Sequence, residues 1–188
     1  MQKIGLTALF VLLLIGVGCN GDPEDHLAKA WSLFEEGDLS GARDHFDSAL
    51  SGQTENAAEA YMGLGWCDLL EDKLTDAYNN FSSSMTYENL LDANAGAAIA
   101  SSELSRYTDA IDYVNTVLNA NPDYFFTHYT SVDSELLRLT KAKSAAALGD
   151  FETALDEIQE IEPSFDANPD TPQGQADILT KIEELISG

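Results

Sequence analysis

The residues of this chain that could do chemistry are few, and most stand far apart. His26, His45 and His128 are scattered along 188 residues, with no two spaced to put a pair of imidazoles on one helix face for a metal. There is no glycine-rich phosphate loop and no strand–turn–helix serine elbow. The acid pairs Glu35-Glu36 and Glu183-Glu184 read as solvated faces, since nothing marks either as a general acid–base pair. No catalytic residue, resident metal or cofactor is therefore expected. One acidic stretch needs weighing. Asp166, Asn168 and Asp170 alternate as the first ligands of a calcium loop do, and Asp177 falls at the closing position. Thr171 stands where such a loop needs glycine, and Pro172 stiffens it; Asx turns and a helix cap use the same residues. A calcium- or small-ligand-binding protein is thus the alternative reading. Cys67 has no basic neighbour in sequence to lower its pKa and reads as a small packing residue.

Charge excludes more than it assigns. Nine Lys and Arg against 33 Asp and Glu give a net charge of −24. A field of that sign repels phosphate backbones, so no nucleic-acid partner is expected. It favours solubility and would attract a basic partner or cations.

The N-terminus carries an address. Lys3 precedes the uncharged, mostly apolar run from Ile4 to Val17, 14 residues long. That is short of the roughly 20 residues of a spanning helix and suits a signal-peptide core. The run ends at Gly16-Val17-Gly18-Cys19, which resembles the lipobox of bacterial lipoproteins. The resemblance implies cleavage before Cys19 and lipidation of that cysteine; cleavage after Gly18 at an ordinary small-x-small site is the alternative. Two or three acyl chains anchor stably where one is marginal. Asn20 is not the aspartate associated with inner-membrane retention, so the implied location is the outer membrane of a bacterial envelope, facing the periplasm.

The elements are written by a repeated phrase. "GDLSGARDHF" at 37–46, "DKLTDAYNNF" at 72–81, "SRYTDAIDYV" at 105–114 and "GDFETALDEI" at 149–158 place Ala42, Ala77, Ala110 and Ala154 at intervals of 35, 33 and 44 residues. A period near 34 marks a helix–turn–helix repeat. Gly37 and Gly149 permit the reversal between two antiparallel helices. Leu39, Leu74, Tyr107 and Phe151 start the second helix of each pair. The alanine lets the helices approach, and Phe46, Phe81, Val114 and Ile158, four residues on, fill the space behind it. Helices are expected near 23–36, 39–51, 56–70, 74–85, 90–104, 107–120, 133–148 and 151–161. A last helix starts at Thr171-Pro172 and carries Ile178, Leu179, Ile182, Leu185 and Ile186 at helical spacing.

The second copy, with Tyr61, Leu64, Gly65, Ala77 and Phe81, resembles the tetratricopeptide (TPR) repeat, although Asp68 stands where that family prefers Tyr. The implied fold is all-α: a right-handed TPR-like solenoid of about four helical hairpins with a C-terminal capping helix. The domain reading is a signal peptide at 1–18, a lipidated tether at 19–22, repeats at 23–162 and a cap at 163–188. In the TPR family the ligand groove is lined by the first helix of each pair. The resemblance places Leu27, Trp31 and Phe34 there from the first hairpin, and Met62, Trp66, Leu69 and Leu70 from the second. Ile99 follows from the third, and Leu139 and Lys143 from the fourth. Glu24, Glu59, Asp92 and Glu103 would flank this strip, which suits a basic, hydrophobic segment of another envelope protein. On this reading Trp66→Ala weakens the partner and leaves stability intact. The competing reading packs both tryptophans beneath the N-terminus or an aromatic insertion.

That insertion, about ten residues in "NPDYFFTHYTSVDS", accounts for the 44-residue interval. It reads either as a loop tucking its aromatics against neighbouring helices or as a ligand-contacting element. The expected function is a non-enzymatic, membrane-anchored docking or assembly module.

Overall fold

The computed structural model describes residues 23–51 and 55–187. Cys19 and the segments expected to be a signal peptide and tether lie outside the described residues. Each phrase read from the sequence is the hinge of one hairpin. The pairs are α1 (Pro23–Glu35) with α2 (Leu39–Leu50), α3 (Ala57–Leu70) with α4 (Leu74–Tyr87), α5 (Leu91–Glu103) with α6 (Tyr107–Ala120), and α7 (Ser134–Ala147) with α8 (Phe151–Ile161). A final helix, α9 (Pro172–Ser187), packs on α7 and α8. Each second helix also packs on the next hairpin's first helix, and α1, α3, α5 and α7 meet in succession along one face. The architecture is a TPR-like solenoid of about four repeats with a capping helix.

The hinges share one hydrogen-bond pattern. Asp38 N–H reaches back to Leu33 O, Lys73 to Asp68 O, Arg106 to Ser101 O and Asp150 to Ala145 O, at 2.8–2.9 Å. A second bond, spanning three residues instead of five, closes each turn, for example from Gly37 N–H to Phe34 O at 2.9 Å. This is the Schellman closure, and it requires one residue with positive φ. Gly37 and Gly149 supply it at 82° and 83°; Asp72 and Ser105 hold the same position at 60° and 58° without glycine's freedom. The two glycine hinges are each followed by a capping aspartate. Asp38 accepts from Gly41 N–H and Asp150 from Thr153 N–H.

Packing between hairpins depends on the absence of side chains at chosen places. A Cβ on Gly63 would enter the Phe46 ring, and one on Gly96 would enter the Phe81 ring. Phe81 also lies against Gly65, so it is clasped between α3 and α5. Asp68, buried on the same hairpin, accepts from Arg43 Nη2 at 2.8 Å and from Asn80 Nδ2 at 2.7 Å. The departure from the family's preferred tyrosine is thus a buried charge paired across two hairpins.

Candidate functional site

The strip expected on the first helices exists, but in the first two hairpins it does not lie open. Trp31, Trp66 and Ile99 each stand six residues before their hinge, so they line up along α1, α3 and α5. Leu27, Trp31, Phe34 and Met62 are buried, and Trp66 is 0% exposed. Residues 124–128 cover the tryptophans.

Residues 124–126 are extended and Thr127 and His128 form a turn, closed from Tyr129 N–H to Phe126 O at 3.2 Å; alternate side chains enter the groove. Tyr124 and Phe126 are buried, His128 is half-buried, and Phe125, Thr127 and Tyr129 face out. Backbone bonds from Phe126 N–H to Val132 O and from Ser134 N–H to Tyr124 O fold 124–134 into a narrow hairpin. Each inward residue meets a different repeat. The Tyr124 hydroxyl donates to Asp92 on α5 at 2.8 Å. Phe126 stacks on Trp66 of α3 with centroids 4.4 Å apart and planes 18° apart. His128 stacks on Trp31 of α1 at 4.0 Å and 8°, with Nδ1 2.7 Å from Glu35 Oε1. The order runs from the third hairpin back to the first.

The electrostatics follow from this cover. Burial pushes the Asp92 carboxyl up, against the lowering effect of the Tyr124 hydroxyl. Burial, with Asp92 beside it, also raises the Tyr124 phenol. Trp31 Nε1 donates to Glu59 Oε1 at 2.7 Å. Glu59 stands 13 residues before its hinge, the place Asp92 takes in the third hairpin. Asp92 is occupied by Tyr124, and Trp66 Nε1 is buried with no hydrogen-bond partner among the described residues.

Several sequence expectations are corrected here. The open groove over Trp31 and Trp66 is filled by the chain itself. Because Trp66 is wholly enclosed, its removal is expected to cost stability, contrary to the expectation of unchanged stability. Leu69 is half-buried and Leu70 is 40% exposed at the helix end. Ile99, Leu139 and Lys143 do come together. With Leu136 and Ile186 they line a small cleft of about 110 Å³ between α5 and α7, and Lys143 Nζ lies 2.6 Å from Glu103 Oε1 at its edge. His26 and His45 are not isolated surface residues: their Nδ1 atoms are 3.0 Å apart between α1 and α2. The calcium-like acids are not gathered. Asn168 Oδ1 accepts from Asp170 N–H in an Asx turn, and Asp177 Oδ1 accepts from Gln173 Nε2. No cluster of three or more His, Cys, Asp or Glu suited to a metal occurs among the described residues. Cys67 is buried on α3, which pushes its thiol up to about 12. Sequence reasoning missed Glu35 as the acceptor facing His128, and the alternation of Tyr124, Phe126 and His128 was the signal available for the cover.

The chain matches no protein-family model and no curated protein. Among solved structures it is similar to YrrB, a TPR protein described as having an unusual peptide-binding site (TM-score 0.68, 17% identity, 87% of this chain and 86% of that one). It is also similar to a tetratricopeptide repeat protein from Parabacteroides merdae (0.60, 16%, 88% and 60%) and to PilF of Pseudomonas aeruginosa (0.63, 14%, 88% and 66%). This chain thus spans 60% of the Parabacteroides protein. The likeness defines the class of fold, a TPR-like helical solenoid.

Proposed function

We propose that this protein is a non-enzymatic docking module of the bacterial envelope, anchored by lipid on Cys19 in the outer membrane and holding a segment of another envelope protein on its concave face. The observation that carries the reading is the seating of one short segment, 124–128, across α1, α3 and α5, one inward side chain per repeat. A surface that holds a chain segment in this way has the shape and chemistry of a peptide site. The peptide-binding site named for YrrB supports the same use of the fold. The floor is formed by Leu27, Trp31, Phe34, Met62, Trp66 and Leu69, with Leu70 at one margin. Ile99, Leu139 and Lys143 form the end left uncovered. The apolar run ending at Cys19 supports the anchor, and the net charge of −24 favours a basic partner.

The test places photo-crosslinking side chains at Leu139, beside the cleft, and at Asp156, exposed on α8, in native membranes. One protein captured from Leu139 and not from Asp156 supports docking on the concave face. Equal capture from both, or from neither, contradicts it. Cys19→Ser should release the protein from the membrane fraction, and an intact mass showing an unmodified Cys19 would contradict the anchor.

A further inference from the structure

The insertion leaves one group in the groove worse off than its equivalent one repeat earlier. Trp31 donates to Glu59, whereas Trp66 Nε1 has no partner among the described residues, and the acid at the equivalent place, Asp92, accepts from Tyr124 instead. A buried donor without a partner weakens the closed arrangement. The third contact is also imperfect. His128 faces Glu35 with its side chain 27% exposed, and an imidazole offers a charge to that carboxylate only when protonated. Lysine or arginine in the same place is charged at neutral pH. The insertion therefore fits the groove in pattern and falls short of it in two polar contacts.

We propose that the groove beneath residues 124–128 is the docking site for a partner segment of the pattern aromatic–x–aromatic–x–Lys/Arg, and that the insertion is a resident stand-in which this segment displaces. The inference rests on the docking reading and adds the occupant and its route of entry. The aromatic residues take the places of Tyr124 and Phe126 against α5 and Trp66, and the basic residue meets Glu35. Three acids border the groove, Glu35 at the end of α1 and Glu59 and Asp92 in the first turns of α3 and α5; they complement a basic segment and disfavour an acidic one. The closed insertion lowers apparent affinity by the fraction of molecules in which it is open.

The probe is a 13-residue peptide copying Asn121–Asp133 with the change His128→Lys, titrated against the folded protein and followed by tryptophan emission. The double variant Tyr124→Phe, His128→Ala loosens the insertion and keeps every groove residue. It should bind the probe about tenfold more tightly than the wild type. A control peptide with the residues of Phe126 and Thr127 exchanged should bind about tenfold more weakly, because its ring then points away from Trp66. Equal affinity for wild type and double variant, or no saturable binding to either up to about 1 mM, overturns the proposal. Hydrogen exchange on the wild type tests it without any variant. The Phe126 and Ser134 amides, bonded to Val132 O and Tyr124 O, should exchange at least about tenfold faster than buried amides of α5. Exchange of those two amides only with global unfolding means the insertion is core and overturns displacement. Crosslinking from Leu139 in that case would still uphold the docking function, so the two readings fail separately.

Discussion

The first two hairpins and the fourth are built on the same hinge and finished in opposite ways. In the first region rings fill both layers: Trp31 and Trp66 from the first helices meet Phe46 and Phe81 from the second, edge to face at 4.8 and 5.3 Å. A further aromatic layer from the insertion closes the concave side. The fourth hairpin and α9 form a separate, aliphatic cluster around Ala142, Ala145, Ile158, Ile178 and Ile182, and the concave side there keeps a cleft. Equivalent positions show the contrast. Six residues before the hinge stands Trp66 at 0% exposure in the second hairpin and Lys143, half-exposed and paired with Glu103, in the fourth. The hinge sets the scaffold, while the residues inserted between repeats decide which part of the groove is filled.

Substitutions at these equivalent places should break the symmetry of the repeats most. Trp66→Ala removes a fully enclosed ring and should cost about 3–5 kcal/mol in urea unfolding. Lys143→Ala, at the same place in the fourth hairpin, should stay within about 0.5 kcal/mol. Similar losses at the two positions would erase the distinction between a covered and an open end. Next in size is Gly96→Ala, whose new Cβ enters the Phe81 ring clasped between α3 and α5. Overpacking there should cost about 1–3 kcal/mol, read as a lower urea midpoint at unchanged slope.

The hinges sharpen the comparison further. Asp150→Ala removes the cap of α8 and should cost about 1 kcal/mol. The Thr153 hydroxyl and amide hold the Asp150 carboxyl below its ordinary range. Its contribution is therefore fully present above the ordinary carboxylate pKa and lost as pH falls through the lowered value. A wild-type advantage over Asp150→Ala that persists after that carboxylate is protonated would contradict the capping account. A small effect of the opposite sign is expected at Ser105, which holds φ 58° where two other hinges use glycine. Ser105→Gly should stabilise by about 0.5–1 kcal/mol, since relief of left-handed strain is partly offset by a freer unfolded chain. A loss of stability would show that the serine side chain supports the hinge.

The legible parts of this molecule are those fixed by local chemistry. Leu39, Leu74, Tyr107 and Phe151 begin α2, α4, α6 and α8 as the phrase requires, because hinge, cap and first apolar residue lie within a few positions of one another. Alignment of Trp31 with Trp66 was equally legible from the period. The cover was legible only as one of two readings of the insertion, and its pairings were not, because Glu35 and His128 are 93 residues apart and nothing local joins them. Its signature was a period-two pattern, inward Tyr124, Phe126 and His128 against outward Phe125 and Thr127, set in a chain otherwise written with helical period. The Arg43–Asp68 pair was hidden for the same reason: an aspartate breaking a repeat pattern shows its partner only when neighbouring hairpins are stacked.

The central claim is that the chain's own segment lies across the groove, and proton–proton Overhauser contacts in the folded protein test it most directly. The account predicts contacts between the rings of Phe126 and Trp66 and between those of His128 and Trp31, pairs whose centroids are 4.4 and 4.0 Å apart. Their absence, with both indoles readily quenched by acrylamide, would place the insertion outside the groove and contradict the account.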